Sequence, residues 1–160
     1  MRIYREYQQM RIYREYQIKF YLNARHYIII NGVKGEPHPH TWEFSVNIQF
    51  DRNGFIEFNK FEKAINEYLA PYQNSIMNEK EPFDTVVPTL ENMADYFAEK
   101  FAMMIGEIGG RVSRVEASET PTRRYILNMG ENTVQEAPDR EFEEKMLSSV
   151  MDSVLDDIIK

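Results

Sequence analysis

Alternation of apolar and polar residues predicts two long β-strands in the first third of the chain. From Met10 onward, apolar residues occupy one face of an extended segment, and the pattern runs through Ala24 and His26. A second alternation follows a glycine-containing loop at 31–35, and its apolar face carries Trp42, Phe44, Val46, Ile48 and Phe50. A sheet with one apolar and one polar face is usually antiparallel, so we expect these two strands to pair in that way.

Helical periodicity replaces the alternation in the middle of the chain. Apolar residues recur at three- and four-residue intervals over about 57–70, and Pro71 ends this predicted helix. After an irregular stretch, Thr89 is placed to cap a second helix, which Gly109-Gly110 stops. Two shorter strands complete the order of elements, at about 111–119 and 123–129.

The two ends of the chain differ from the part between them. The octapeptide MRIYREYQ occurs at 1–8 and again at 10–17, and we interpret 1–9 as a duplicated segment or an artefact rather than a functional repeat. At the other end, 131–160 is an acidic extension in which an apolar stripe predicts a helix at 139–159. The predicted organisation is therefore a domain at 10–130 between these two segments.

The acidic extension holds nearly all of the net charge of the chain. It contains nine acidic and three basic side chains, a net charge of −6, and the whole chain has −7. We interpret it as a packed helix with a solvated acidic face. Contact with another subunit or a partner through the apolar stripe is the alternative.

Composition narrows the classes of function. The chain has 160 residues, 42% hydrophobic and 28% charged, which is typical of a single globular domain. The absence of cysteine excludes disulfides, a Cys-ligated zinc site and a cysteine nucleophile. The acidic charge disfavours nucleic acid as a partner. No apolar run approaches the roughly 18–20 residues of a membrane helix, and the N-terminus lacks the apolar region of a signal peptide, so we expect a cytoplasmic protein with no membrane partner.

All three histidines of the chain fall within 15 residues. His38 and His40 are two residues apart on a predicted strand, so they point to one face, and that face also carries Trp42. His26 shares the apolar face of the preceding strand. If the two strands pair, the three imidazoles converge, and three imidazoles with an open fourth position predict a catalytic-type zinc site. Unrelated surface or core histidines are the alternative.

Taken together, these motifs resemble the 6-pyruvoyl-tetrahydropterin synthase and 6-carboxy-tetrahydropterin synthase family. The resemblance covers about 16–130 and rests on NARHYIII, GEPHPHTWEFSV, the turn GFIEF, PTLENMADY and ASETPT. It implies an α+β tunnelling fold, in which a four-stranded antiparallel sheet carries two helices on one face in the order β-β-α-α-β-β; the C-terminal helix would be additional. It also implies homo-oligomers, trimers or hexamers, with active sites between subunits.

The resemblance also implies roles for individual residues. It places zinc ligands on His26, His38 and His40, the glutamate that anchors a pterin on Glu119, and further pterin contacts on Thr89 and Glu91. A carboxylate suits a pterin because the N–H groups of the ring edge offer two parallel donors. Structural alternatives are a helix cap for Thr89, a dipole-favoured acid for Glu91 and an ordinary strand carboxylate for Glu119.

The catalytic residues of the family are replaced in this chain. The family's cysteine, four residues before the His-x-His pair, corresponds to Lys34, and its Asp-His dyad corresponds to Gln73 and Asn74. Amide side chains do not titrate near neutral pH, so neither can shuttle a proton. Lys34 itself and Glu36, which lies two residues before His38, are the remaining candidates for a catalytic base.

Three hypotheses follow. The first is a zinc-dependent carbon–oxygen lyase acting on dihydroneopterin triphosphate or a close relative. The second is a catalytically degenerate member that binds zinc and a pterin-like ligand as a binding or regulatory protein. The third is a structural oligomer in which zinc serves stability alone.

Overall fold

The structure is a computed structural model that describes residues 14–50 and 56–130. The duplicated segment at 1–9 and the C-terminal helix predicted at 139–159 lie outside the described residues. The described strands and helices, in chain order, are β1 (Tyr16–His26), β2 (Ile29–Ile30), β3 (Val33–Lys34), β4 (His38–Gln49), α1 (Phe58–Leu69), α2 (Leu90–Ile108), β5 (Arg111–Thr120) and β6 (Arg123–Asn128).

Four of the strands form an antiparallel sheet in the order β1-β4-β5-β6. The register places Leu22 opposite Trp42 and His26 opposite His38, so the apolar positions of β1 and β4 share one face. This arrangement, with two helices, confirms the predicted α+β tunnelling fold. No helix in the described ranges is long and apolar enough to cross a membrane.

The core lies between the apolar face of the sheet and the two helices. Phe44 in β4 meets Phe97 and Phe101 of α2, with ring centroids 5.5 and 5.6 Å apart. Helix α1 buries residues at the predicted helical spacing, namely Phe61, Ile65 and Leu69. Full burial of one such side chain contributes about 1.5–3 kcal/mol, so this shared face is what fixes the sheet against the helices.

Both ends of α2 form as the sequence predicts. Thr89 Oγ1 accepts a hydrogen bond from the main-chain N–H of Asn92 at 3.2 Å. At the other end Gly109 has a left-handed φ of 100°, and the N–H of Gly110 donates to the carbonyl oxygen of Ile105 at 3.0 Å. The helix therefore stops at the pair of glycines, and β5 begins directly after it.

Two details differ from the sequence expectation. The loop at 31–35 is part of a small hairpin, in which Asn31 and Gly32 have φ values of 54° and 72° between β2 and β3. Such values are typical of the two-residue turns that Asn-Gly favours. Helix α1 ends at Leu69, before Pro71, but the chain continues as a 3-10 turn through Tyr72.

Candidate functional site

Strands β1 and β4 bring the three histidines together at one end of the sheet. His26 lies opposite His38 in the register, and His40 follows two residues later on the same face. The ring centroid of His26 lies 4.5 Å from that of His38 and 5.0 Å from that of His40. One nitrogen from each ring can be chosen so that all three lie within 4.8 Å of one another. The convergence that the alternation predicts is therefore present in the structure.

His26 is held in one tautomer by a main-chain group. Its side chain is buried, and Nδ1 lies 2.8 Å from the carbonyl oxygen of Pro88. A carbonyl oxygen only accepts, so Nδ1 carries the proton and Nε2 keeps its lone pair. Burial lowers the pKa of His26, and the neighbouring His38 and His40 lower it further, so the ring is kept neutral. Nε2 is also buried and has no hydrogen-bond partner among the described residues.

These observations fit a zinc ion. Neutral imidazole nitrogens are among the preferred ligands of zinc, and a ligating histidine ordinarily donates its other N–H to a carbonyl or carboxylate. The Nδ1 of His38 lies 3.2 Å from the carbonyl oxygen of Glu36, a second contact of this type. The indole of Trp42 packs beneath the group, 5.0 Å from the ring of His26 and 5.3 Å from that of His40.

A cavity of about 440 Å³ opens beside the histidines, between the start of α2 and strands β5 and β6. Its lining includes His26, Thr89, Glu91, Glu119, Arg123 and Tyr125. The carboxylate oxygen Oε2 of Glu119 is buried there and has no hydrogen-bond partner among the described residues. All three residues to which the resemblance assigns pterin contacts thus face one cavity with a member of the histidine group. Their binding roles stay predictions.

Lys34 and Glu36 do not line this cavity. The ammonium group of Lys34 lies 4.2 Å from the centre of the Tyr27 ring, a cation–π contact. The side chain of Glu36 is exposed, although its main chain contacts His38. Of the two candidates for the base, only Glu36 contacts the histidine group, and it does so through its main-chain carbonyl oxygen.

Gln73 and Asn74 hold a loop against the outer edge of β1. Gln73 Oε1 accepts from the N–H of Asn23 at 2.9 Å, and its Nε2 donates to the carbonyl oxygen of Tyr21 at 2.8 Å. Asn74 has a φ of 58° and donates its N–H to the carbonyl oxygen of Asn23 at 2.7 Å. The side chain of Gln73 and the main chain of Asn74 therefore stabilise the loop at the two positions where the resemblance places the family's dyad.

Three residues that shape the site, Asn78, Pro88 and Arg123, are not indicated by the sequence pattern. The side chain of Asn78 binds both main-chain groups of Tyr27, accepting from the N–H and donating to the carbonyl oxygen, each at 2.9 Å. Pro88 orients His26, and Arg123 lines the cavity. The Asn78 and Pro88 contacts join segments more than fifty residues apart, and no local pattern indicates them.

Comparisons with known proteins give a family match and a set of structures with the same fold. Residues 15–129 match the family model described as 6-pyruvoyl tetrahydropterin synthase. No curated protein sequence matches the chain significantly.

Several solved structures share the fold. The 6-pyruvoyl tetrahydropterin synthase of Caenorhabditis elegans is 19% identical, with a TM-score of 0.60 over 72% of this chain and 95% of that chain. A catalytic-residue mutant, glutamate to alanine, of the Plasmodium vivax 6-pyruvoyltetrahydropterin synthase is 14% identical, with a TM-score of 0.54 over 74% of this chain and 100% of that one. An uncharacterized protein from Wolinella succinogenes is 15% identical, with a TM-score of 0.55 over 75% of this chain and 100% of that one.

Proposed function

The chain belongs to the 6-pyruvoyl tetrahydropterin synthase family, and from this membership we propose that it is a zinc-dependent carbon–oxygen lyase acting on dihydroneopterin triphosphate or a close relative. One observation carries the proposal. A single cavity holds His26, with its free Nε2, and Glu119, with its buried and unpartnered carboxylate oxygen. We further propose that the protein works as a homo-oligomer, a trimer or hexamer, in the cytoplasm.

Glu119 is suited to hold the pterin ring. Its Oε2 has lost contact with water and gains no partner from the described residues, so a ligand with N–H donors would satisfy it. A carboxylate receives two parallel N–H donors well, and such charge-assisted hydrogen bonds are strengthened where water is excluded. The ring edge of a pterin offers such a pair of donors.

The first turn of α2 supplies further contacts. Thr89 Oγ1 already accepts from the N–H of Asn92, so its own hydroxyl hydrogen is left to donate to a ligand acceptor. Glu91 is exposed at the same cavity, where its carboxylate can receive a ligand hydroxyl or N–H group. We propose that these two side chains orient the ring that Glu119 anchors.

His26, His38 and His40 would hold zinc. The bound ion would supply a Lewis acid that polarises the hydroxyl groups on the substrate side chain. The carbonyl oxygens of Pro88 and Glu36 keep the rings of His26 and His38 oriented through Nδ1.

An elimination also needs a group that accepts a proton from carbon, and Glu36 and Lys34 are the candidates. The main-chain carbonyl oxygen of Glu36 contacts His38, so the carboxylate of Glu36 belongs to a segment that adjoins the histidine group. The Plasmodium vivax synthase has a catalytic glutamate, and this similarity favours Glu36 over Lys34. We therefore propose Glu36 as the base.

A catalytically degenerate member that binds zinc and a pterin-like ligand is the second candidate function. The observation that favours it is the use of Gln73 as a hydrogen-bonding clamp on β1, because an amide in that position cannot take part in proton transfer. Such a protein would act as a binding or regulatory component.

Turnover distinguishes the two functions. Zinc-loaded protein is incubated with dihydroneopterin triphosphate, and the pterin products are identified by mass spectrometry. Release of triphosphate with a 6-pyruvoyl or 6-carboxy product, lost in His38→Ala and reduced in Glu36→Gln, supports the lyase. Intact substrate that is nevertheless bound supports the degenerate member, and unchanged turnover in His38→Ala overturns the zinc-dependent mechanism.

A further inference from the structure

Arg123 lies next to the proposed ring anchor. It is the first residue of β6 and is the register partner of Thr120, which directly follows Glu119 in β5. Arg123 and Glu119 line the same cavity. The guanidinium group of Arg123 and the buried carboxylate of Glu119 therefore line one cavity from neighbouring positions of two paired strands.

The two arginines of this cavity differ in their partners. Arg124 Nη2 donates to Glu43 Oε1 at 2.8 Å, so its charge is already compensated. Arg123 forms no ion pair with any residue in 14–50 or 56–130, and neither Glu91 nor Glu119 is within ion-pairing distance. A full set of guanidinium donors is thus left for a ligand.

The wall on which Arg123 lies is supported by its neighbour in the strand. Tyr125 is two residues further along β6, so it shares the face of Arg123, and its hydroxyl donates to Asp95 of α2 at 3.0 Å. This bond ties β6 to the helix at the side of the cavity. Arg123 therefore projects from a strand that is held by β5 at one edge and by α2 through the Tyr125 side chain.

The pairing of acceptor and donor matches one kind of ring edge. A 2-amino-4-oxo-pyrimidine ring, as in a pterin, presents two N–H donors followed by a carbonyl oxygen. Glu119 can receive the two donors, but it can only repel the carbonyl oxygen. We propose that Arg123 donates to this carbonyl oxygen and so selects 4-oxo rings over 4-amino rings, an inference that rests on the proposed pterin ligand.

The physical basis of the selection is a mismatch of donors. A 4-amino group would place N–H donors against the guanidinium group, which has only donors, and both would be left unsatisfied. The 4-amino ring also lacks the N–H at position 3, so Glu119 contributes a part of the discrimination that does not depend on Arg123. Sites that bind a polar group of the correct ligand reject an analogue with the opposite polarity more strongly than apolar pockets do. Hydrogen bonds to charged groups are large enough for a preference of about tenfold or more.

The test compares two unphosphorylated ligands, so that phosphate charge has no part. Dissociation constants of neopterin and of the 2,4-diaminopteridine with the same side chain are measured calorimetrically on the zinc-loaded full chain. Wild type should prefer neopterin through Glu119 and Arg123 together, and Arg123→Ala should reduce that preference by about tenfold or more, with the remainder due to Glu119. Arg123→Lys keeps the charge and should keep part of the preference. Arg114→Ala removes the same charge from a residue paired with Glu116, and should leave the preference unchanged.

The outcomes separate this inference from the proposed function. A preference in Arg123→Ala equal to that of wild type overturns the role of Arg123 and leaves pterin binding intact, as does an equal loss of affinity for both ligands. If wild type binds neither ligand, the proposed function fails and the inference fails with it. Circular dichroism checks the fold of each variant, and Arg123→Met, which also lacks an N–H donor, replaces the alanine variant if the latter does not fold.

Discussion

The Nδ1 atom of His26 lies 2.8 Å from the carbonyl oxygen of Pro88, a residue 62 positions further along the chain. This contact joins the end of β1 to the segment just before α2, and it fixes which nitrogen of the ring can bind a metal. The buried Nε2 atom therefore keeps its lone pair for a metal, and it has no hydrogen-bond partner among the described residues. A group that is buried and unsatisfied in this way is stabilised by a bound ion.

Zinc should therefore stabilise the protein through these histidines. We expect zinc to raise the melting temperature of the metal-free protein, with about 2.7 kcal/mol of added stability at a free concentration one hundred times the dissociation constant. His38→Ala should lose most of this rise, and Gln17→Ala, on the opposite face of β1, should keep it. Trp42 is the only tryptophan and lies beside His26, so Co²⁺ bound in place of zinc should quench its fluorescence. An equal thermal rise in His38→Ala would show that zinc binds elsewhere.

Replacing Glu119 should separate binding from stability. Its buried Oε2 has no partner among the described residues, so Glu119→Gln removes an uncompensated charge from the ligand-free protein. We expect the free energy of unfolding to stay equal or rise by about 1 kcal/mol, and the affinity for neopterin to fall by about tenfold or more. Thermal unfolding and calorimetry measure the two effects. A loss of stability with unchanged ligand affinity would mean that the carboxylate has a structural role.

Features that depend on local periodicity could be predicted from the sequence. The two-residue alternation of β1 and β4 also predicts that His26 and His40 lie on the same face of the sheet, because the two strands are antiparallel neighbours in it. The caps of α2 depend on Thr89 and on two glycines within the same segment, and they too were predictable.

Contacts between distant segments were not predictable in the same way. Nothing near Gln73 in the sequence indicates that its amide binds the main chain of Tyr21, because the bond requires the loop to lie along the edge of the sheet. The position of Arg123 in the cavity depends on the register of β5 and β6 and on the packing of α2. Such residues are identified only once the tertiary arrangement is known.

Asn78 should support the metal site through the main chain. Its side chain makes two hydrogen bonds of 2.9 Å with Tyr27, the residue after His26. Asn78→Ala removes both, and at about 0.5–1.5 kcal/mol each the loss in unfolding free energy should be about 1–3 kcal/mol. Zinc affinity should fall as well, because the segment that holds His26 is released. Urea denaturation and zinc titration measure these effects, with Asn66→Ala on the exposed side of α1 as the matched control. A loss of unfolding free energy in Asn78→Ala that is no larger than the loss in Asn66→Ala would contradict this supporting role of Asn78.

The ion pairs of Glu43 should make stability depend on pH in the acid range. Its carboxylate accepts from Arg124 at 2.8 Å and lies 3.4 Å from the ammonium group of Lys19, and these hydrogen bonds, that of Arg124 foremost, lower the pKa of Glu43 in the folded protein. Because the pKa is lower in the folded protein, the ionised carboxylate of Glu43 stabilises the fold. This stabilisation is complete above the unfolded pKa, near 4.5, and is lost as the pH falls through the folded value.

Glu43→Gln should accordingly lower the unfolding free energy at pH 6 by about 0.2–1 kcal/mol, since the pair is partly exposed to solvent. At pH 3 the difference from wild type should be smaller, because protonation of Glu43 weakens the same ion pairs in the wild-type protein. Urea denaturation at the two pH values measures this change, and Glu62→Gln, an exposed glutamate of α1 without an ion pair among the described residues, serves as the control. The same difference at pH 6 and pH 3 would mean that the charge of Glu43 does not contribute, and that its effect on stability arises from packing alone.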